Sequence, residues 1–152
     1  MELIWVLVVL AGLIVVWLIL TYNGLIKFRN RTDESWSDIE VQLKRRYDLI
    51  PNIVAAVKGY AKHEEGVFTK VTEARNAAMG ATSMKDHAKT ENMLTGALKS
   101  LFAVSEDYPQ LQASENFLNL QHELTDAEDK IAASRRFYNG NVRNFNTKLQ
   151  VF

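Results

Sequence analysis

The chain of 152 residues lacks cysteine altogether, contains only two prolines and seven glycines, and carries no net charge. Without cysteine there is no disulfide framework and no thiolate nucleophile. Because 18 basic residues balance 18 acidic ones, no overall field attracts nucleic acid. The length fits a single domain, and the scarcity of proline and glycine leaves long stretches without a helix-breaking residue.

The first long segment also lacks charge. Residues 3–20, LIWVLVVLAGLIVVWLIL, are apolar throughout, and at a helical rise of about 1.5 Å per residue they span about 27 Å, close to the hydrocarbon thickness of a bilayer. Trp5, Trp17 and Tyr22 near its ends are typical of a membrane interface. A cleavable signal peptide would have a basic start and a small-residue cleavage site, and this segment has neither. We therefore predict a retained transmembrane anchor over residues 1–24.

Basic residues follow this span but do not precede it. Every Lys and Arg lies after residue 26, and Lys27, Arg29 and Arg31 stand directly behind the apolar run. The positive-inside rule then predicts a single-pass protein with its N-terminus outside and the remainder of the chain in the cytoplasm.

The rest of the chain, residues 25–152, has the periodicity of helices. Apolar residues recur at spacings of three and four, and no convincing strand pattern appears. The fold class predicted is all-α, with the N-terminal transmembrane helix continuous with an antiparallel four-helix bundle. The predicted helices are about 25–50, 52–79, 87–108 and 115–152.

A dense cluster of charged and aromatic residues, LKRRYDLIPNIV at 43–54, could be a binding site or a corner between two helices. Pro51 disfavours helical geometry at the residue before it and suits the first turn of a new helix. Arg45 and Arg46 would then interact with the dipole of the preceding helix end, and Asn52 could satisfy free backbone groups. A corner explains every residue of the stretch and a ligand site is the alternative. The predicted corner residues are Arg45, Arg46, Asp48, Pro51 and Asn52.

The last predicted helix carries a long coiled-coil-like stripe. Asn141 occupies a core position of this heptad pattern, between Tyr138 and Phe145. A buried amide at such a position can fix register or partner choice. We predict that these three residues determine register or assembly, in a homo-oligomer.

Motifs for catalysis and cofactor binding are missing from the sequence. It contains no Glu-x-x-His pair for a di-metal bundle and no Walker, GxGxxG or GxSxG motif. Arg135 and Arg136 beside Phe137 and Tyr138 could stack on nucleic acid, but Tyr138 belongs to the inner stripe and three acidic residues lie close by, within 126–129. We predict no enzymatic activity, no cofactor, no metal and no nucleic-acid partner.

Three blocks resemble the bacterial LemA family over essentially the whole chain: YNGLIKFRNRTDESWSDIEVQLKRRYDLIPNIVAAVKGYAKHE, TEARNAAM and ENFLNLQHELTDAEDKIAASRRFYNGNVRNFNTKLQ. The resemblance implies a membrane-anchored helical protein of the bacterial cytoplasmic membrane, with no established activity or catalytic residues. A branch of the family is associated with magnetosome membranes and their formation, which implies membrane organisation. Members similar to this chain extend further, so we expect a segment after Phe152.

Helix lengths predict a second contact with the lipid bilayer. If the helix after the anchor runs away from the membrane and the next one returns, the loop with Met79 and Met84 lies near the bilayer surface. The last helix, 38 residues from 115 to 152, spans about 57 Å. Its apolar end, Leu149, Val151 and Phe152, should therefore reach the interface.

These features leave two main hypotheses for function. The first is a non-enzymatic, membrane-anchored scaffold that self-associates and organises or remodels the membrane. The second is an adaptor that presents its helical bundle to another membrane protein complex. An enzyme with an unrecognised site is a third and weaker alternative.

Overall fold

The computed structural model describes residues 1–151, and within this range the chain forms helices and no strand. The all-α prediction is therefore confirmed for the described residues. The helices are α1 (Glu2–Lys58), α2 (Glu65–Met79), α3 (Met84–Glu106), α4 (Pro109–Gln112) and α5 (Glu115–Gln150).

The predicted continuity between the apolar N-terminal segment and the helix that follows it is confirmed. Both belong to α1, which has 57 residues. From residue 26 to residue 50 this helix contains neither glycine nor proline, so no residue in that stretch favours a break.

The predicted corner at Pro51 is wrong, because α1 passes through this proline and ends seven residues later, at Lys58. A proline inside a helix has no N–H for the carbonyl oxygen four residues earlier, which here is Tyr47 O. The guanidinium of Arg75, on α2, supplies the missing donor: its Nε donates a hydrogen bond of 2.7 Å to Tyr47 O. A tertiary contact thus supplies a donor to the backbone oxygen for which Pro51 has no N–H group.

The other predicted corner residues consequently lie inside α1 and not at its end. Arg45 and Arg46 are more than three turns from Lys58, too far to interact with the dipole of the last turn. Asp48 accepts a hydrogen bond of 2.8 Å from Lys44 Nζ on the exposed face of the helix. Asn52 is also exposed on α1, so no helix end is present there for it to cap.

The observed corner occupies residues 59–64. At its start Gly59 N donates to Ala55 O over 3.2 Å and Tyr60 N donates to Val57 O over 3.0 Å, which tightens the last turn of α1. Ala61 is completely buried at this corner. Because the corner comes later than predicted, α2 has 15 residues and begins at Glu65 instead of residue 52.

The start of α3 also differs from its prediction, since the helix begins at Met84 and not at residue 87. Ser83 caps it: Ser83 Oγ accepts a hydrogen bond of 3.1 Å from Asp86 N and donates one of 2.6 Å to Asp86 Oδ2. At its other end α3 stops at Glu106, two residues before the predicted end, and Pro109 opens the short α4. The start of α5 at Glu115 agrees with the prediction.

The contacts divide the chain into two compact units. Unit 1 comprises Met1–Glu40 and residues 132–151, and unit 2 comprises Val41–Ile131. In unit 2, α2 and α3 pack against each other. Every helix of unit 2 contributes to its apolar core, which includes Leu43, Ile50, Ile53, Val57, Phe68, Val71, Leu94, Leu98, Leu101, Leu111, Phe117 and Leu124.

Candidate functional site

The apolar N-terminal part of α1 is exposed along its whole length. In residues 1–151 it is the one helical segment long and apolar enough to cross a membrane, judged by length and composition. Trp5, Trp17 and Tyr22 are each more than half exposed. Because soluble proteins rarely expose contiguous apolar patches beyond a few hundred Å², a surface of this extent requires lipid or protein to cover it.

The basic residues behind the apolar run are also exposed. Lys27, Arg29 and Arg31 all lie on the surface of α1. Arg29 Nε is 3.9 Å from Asp33 Oδ2, a loose ion pair between two well-exposed side chains. Such pairs contribute little to stability, so this pair does not prevent Arg29 from binding a group outside the chain.

Within unit 1, α5 lies beside α1. The rings of Trp36 and Tyr138 have centroids 5.4 Å apart and are tilted by 59°. Further along α5, Asn141 Nδ2 donates a hydrogen bond of 3.3 Å to the backbone oxygen of Arg31. Asn141 is half-buried and not fully buried as the heptad pattern predicted, and Phe145 is half-buried too. Their role in register or assembly stays a prediction.

The end of α5 lies beside α1 at Gly24, four residues after the apolar run. Lys148 Cε is 3.8 Å from the position that a Cβ atom on Gly24 would occupy. Advancing along α5 therefore corresponds to moving back along α1, so the two helices are antiparallel in unit 1. Leu149 and Val151 follow Lys148 and are exposed, whereas Phe152 lies outside the described residues.

The two methionines predicted to contact the membrane stand on either side of the loop between α2 and α3. Met79 is the last residue of α2 and Met84 the first of α3. Both side chains are about half exposed. Their contact with lipid stays a prediction.

A buried ion cluster forms around Arg46, which belongs to the stretch 43–54 predicted to be a corner. Arg46 and Glu91 are each 2% exposed, and Arg46 Nη1 donates a hydrogen bond of 2.8 Å to Glu91 Oε2. Arg46 Nη2 donates to Thr95 Oγ1 over 3.0 Å, and Arg46 Nε is 3.1 Å from Glu128 Oε1. The hydroxyl of Tyr47 donates to the second carboxylate oxygen of Glu91. Side chains of α1, α3 and α5 thus meet in one charged network.

Sequence reasoning missed this cluster, although one signal for it was present. Glu91 stands three residues before Leu94 and seven before Leu98, which are both buried, so it continues the inner stripe of α3. A carboxylate on a buried stripe requires a charged or hydrogen-bonding partner. The sequence could not identify Arg46 as that partner, because their contact joins residues 45 positions apart.

A neighbouring ion pair is exposed to solvent. Arg45 Nη1 is 2.8 Å from Asp126 Oδ2, and Lys130 Nζ is 2.9 Å from the same oxygen. The hydrogen bond from Lys130, and then that from Arg45, lower the pKa of the Asp126 carboxyl below its usual value. A lowered folded-state pKa stabilises the fold above the ordinary carboxyl pKa, and this contribution is lost as the pH falls through the lowered value.

A groove of about 450 Å³ lies between α3 and α5 in unit 2. Leu98, Phe102 and Leu124 supply its apolar lining. Thr95 and Glu128 line the groove and also contact Arg46. Across residues 1–151 no group of three or more His, Asp or Glu side chains is placed to hold a metal ion.

These features define a class: an all-helical protein with one candidate membrane-spanning helix and a charged, helix-rich remainder. The model of the LemA family matches residues 35–152. The chain therefore belongs to the LemA family.

Several relatives cover most of the chain. Protein LemA of Metamycoplasma hominis is 30% identical over an alignment of 134 residues, which covers 86% of this chain and 60% of the relative. Magnetosome protein MamQ of Magnetospirillum gryphiswaldense is 23% identical, and Magnetosome protein MamQ 2 of Paramagnetospirillum magneticum is 24% identical; each match covers 87% of this chain and 58% of the relative. The chain thus spans about three fifths of the length of these relatives. None of their names describes an enzymatic activity, and the exposed apolar helix fits membrane anchoring.

Proposed function

We propose that this LemA-family protein is a non-enzymatic scaffold, anchored in the bacterial cytoplasmic membrane, that self-associates and organises or remodels the bilayer. The observation that carries the proposal is the exposed apolar run of α1, which continues without a break into a charged helix. Relatives named as magnetosome proteins support a role at a membrane.

In this proposal residues 3–20 cross the bilayer and the helices after them form an antiparallel four-helix bundle in the cytoplasm. Ion pairs from Arg46 to α3 and α5, and the bond from Arg75 to α1, support such a bundle within unit 2. A four-helix bundle requires each of its helices to bury apolar residues in a shared core. In unit 2, α1, α2, α3 and α5 all bury apolar residues.

The end of α5 provides a second membrane contact. Leu149 and Val151 are exposed and follow Lys148, which lies beside Gly24, four residues after the apolar run. Apolar side chains at that level enter the interfacial region of the bilayer. Two contacts within unit 1 resist tilting of the span, which a single flexible tether cannot do, and a scaffold that shapes a membrane needs this resistance.

Self-association is tested by the mass of the full chain in detergent, measured by light scattering after subtraction of the detergent. We expect a defined homo-oligomer. Asn141→Leu should alter the oligomer or broaden its distribution, because Asn141 is the polar residue of the stripe. Asn144→Leu, three residues away on an exposed position of α5, is the matched control. A wild-type monomer in several detergents would contradict the scaffold.

Labelling of introduced cysteines tests the orientation of the span, and the sequence contains no cysteine of its own that would react with the reagent. In intact cells an impermeant thiol reagent should label Glu2→Cys but not Ser83→Cys or Ser114→Cys, because the basic flank retains the remainder of the chain in the cytoplasm. Permeabilised cells should show labelling at all three positions. Labelling of Ser83→Cys in intact cells would refute the orientation.

The groove between α3 and α5 favours a second candidate function, an adaptor that binds another membrane protein. Its apolar lining of Leu98, Phe102 and Leu124 suits an apolar side chain from a partner. A monomeric protein that co-purifies with one membrane protein, and loses it on Phe102→Ala, would establish the adaptor in place of the scaffold.

A further inference from the structure

Unit 1 contains two stretches without acidic residues, and the requirements of membrane insertion explain only the first of them. Residues 3–32 contain no acidic residue, and neither do residues 130–151. The first stretch contains Lys27, Arg29 and Arg31, which also fix the orientation of the span. The part of the second stretch in unit 1 contains four basic residues, Arg135, Arg136, Arg143 and Lys148, more than 100 positions after the span.

The antiparallel register places two of those α5 cations at the level of the α1 cations. Lys148 lies beside Gly24, and Asn141 bonds to the backbone oxygen of Arg31. Arg143, between these two α5 positions, therefore lies at a level between Gly24 and Arg31. From Gly24 to Arg31 α1 rises only about 10 Å. This rise is close to the Debye length of about 8 Å at physiological ionic strength, so salt does not fully screen neighbouring cations at these levels from one another.

We infer that Lys27, Arg29, Arg31, Arg143 and Lys148 form a basic collar, contributed by two helices, that binds the headgroups of anionic phospholipids. The inference rests on the proposed membrane anchor, because the collar faces lipid only if residues 3–20 span the bilayer. The cytoplasmic leaflet is the anionic one, so the proposed orientation brings the collar to its ligand.

The composition of the collar suits phosphate headgroups. Three of its residues are arginines, whose planar guanidinium groups bind phosphate oxygens in pairs. All members of the collar are exposed except Lys148, which is half-buried. Among the ion pairs of the described residues, one joins an exposed member of the collar to a carboxylate: Arg29 Nε lies 3.9 Å from Asp33 Oδ2, a long contact. Each cation near the surface adds to the attraction between the protein and an anionic leaflet.

The test uses the full chain reconstituted in vesicles of phosphatidylcholine alone or of an equal mixture with phosphatidylglycerol. Flotation first measures incorporation. Electron paramagnetic resonance then compares the fraction of spin-labelled phosphatidylglycerol and of spin-labelled phosphatidylcholine that the protein immobilises. We expect the wild type to favour phosphatidylglycerol several-fold, and we expect added salt to reduce this preference. Inorganic phosphate should reduce it no further than chloride at matched ionic strength, because the ligand is the lipid.

The decisive variant is Arg143→Gln/Lys148→Gln, which should lose most of the preference while it floats as the wild type does. Arg143→Lys/Lys148→Arg should restore it. Lys58→Gln/Lys62→Gln, with the same change in charge on exposed positions at the corner after α1, should retain it. An unchanged preference in Arg143→Gln/Lys148→Gln would overturn the two-helix collar and leave the anchor intact. Failure of the wild type to float with either vesicle would overturn the proposed membrane anchor as well.

Discussion

Replacing Glu91 with alanine should lower the free energy of unfolding by about 3–5 kcal/mol, because it leaves the guanidinium of Arg46 buried without its main counter-ion. Arg46 and Glu91 are both almost completely buried, so water cannot replace the lost carboxylate. The same substitution also removes the acceptor of the Tyr47 hydroxyl. Chemical denaturation of the full chain in detergent, followed by circular dichroism, measures the loss.

The chain contains a matched control for this experiment. Arg45, next to Arg46, pairs with Asp126 over the same distance, 2.8 Å, but both side chains are at least 40% exposed. Exposed ion pairs contribute little to stability, so Asp126→Ala should have a much smaller effect than Glu91→Ala. Equal effects of the two substitutions would show that burial does not govern the strength of the Arg46 cluster.

A double substitution separates the cost of an orphaned charge from the value of the pair. Buried ion pairs replaced by apolar residues of similar volume are often neutral or stabilising. Arg46→Met/Glu91→Leu should therefore recover most of the stability that Glu91→Ala loses. If the double variant is as unstable as Glu91→Ala, the loss comes from packing and not from the unpaired charge.

The helices of this chain were largely predictable because their signals are local. Apolar spacing and the absence of glycine and proline from residues 26–50 predicted a helix continuous with the anchor, and the predicted start of α5 at Glu115 was correct. The true corner also had a local signal: a basic residue in the last turn, Lys58, followed by Gly59, is typical of a helix end. Pro51 was the stronger conventional signal, and it was misleading.

The contacts between distant residues could not be predicted in the same way. Which carboxylate meets Arg46, and which side chain compensates for Pro51, depends on packing across 45 and 28 positions of sequence. Spacing within one helix carries no information about such partners. The spacing could have shown that Glu91 lies on a buried face, but not that it forms an ion cluster with α1 and α5.

Pro51→Ala should stabilise the fold, by up to about 3 kcal/mol, since proline costs about that much relative to alanine inside a helix. Alanine restores an N–H group for Tyr47 O and removes the steric conflict of the proline ring. Pro51 is exposed on α1, so the substitution removes little packing. If Pro51 ended a helix as its sequence context suggested, alanine would be neutral or destabilising at this position. Denaturation of the full chain in detergent distinguishes the two results.

The contribution of the Arg75 hydrogen bond to stability depends on which residue occupies position 51. In the wild type Arg75 Nε donates to Tyr47 O, the backbone oxygen for which Pro51 has no N–H group. Arg75→Leu should therefore cost about 1.5–3 kcal/mol, the usual contribution of a hydrogen bond to a charged group. In the Pro51→Ala background the alanine N–H satisfies the same oxygen, so Arg75→Leu should cost at least about 1 kcal/mol less, a coupling typical of residues that share a partner. Strictly additive effects in this double-mutant cycle would mean that Arg75 stabilises α1 by some route other than its hydrogen bond to Tyr47 O.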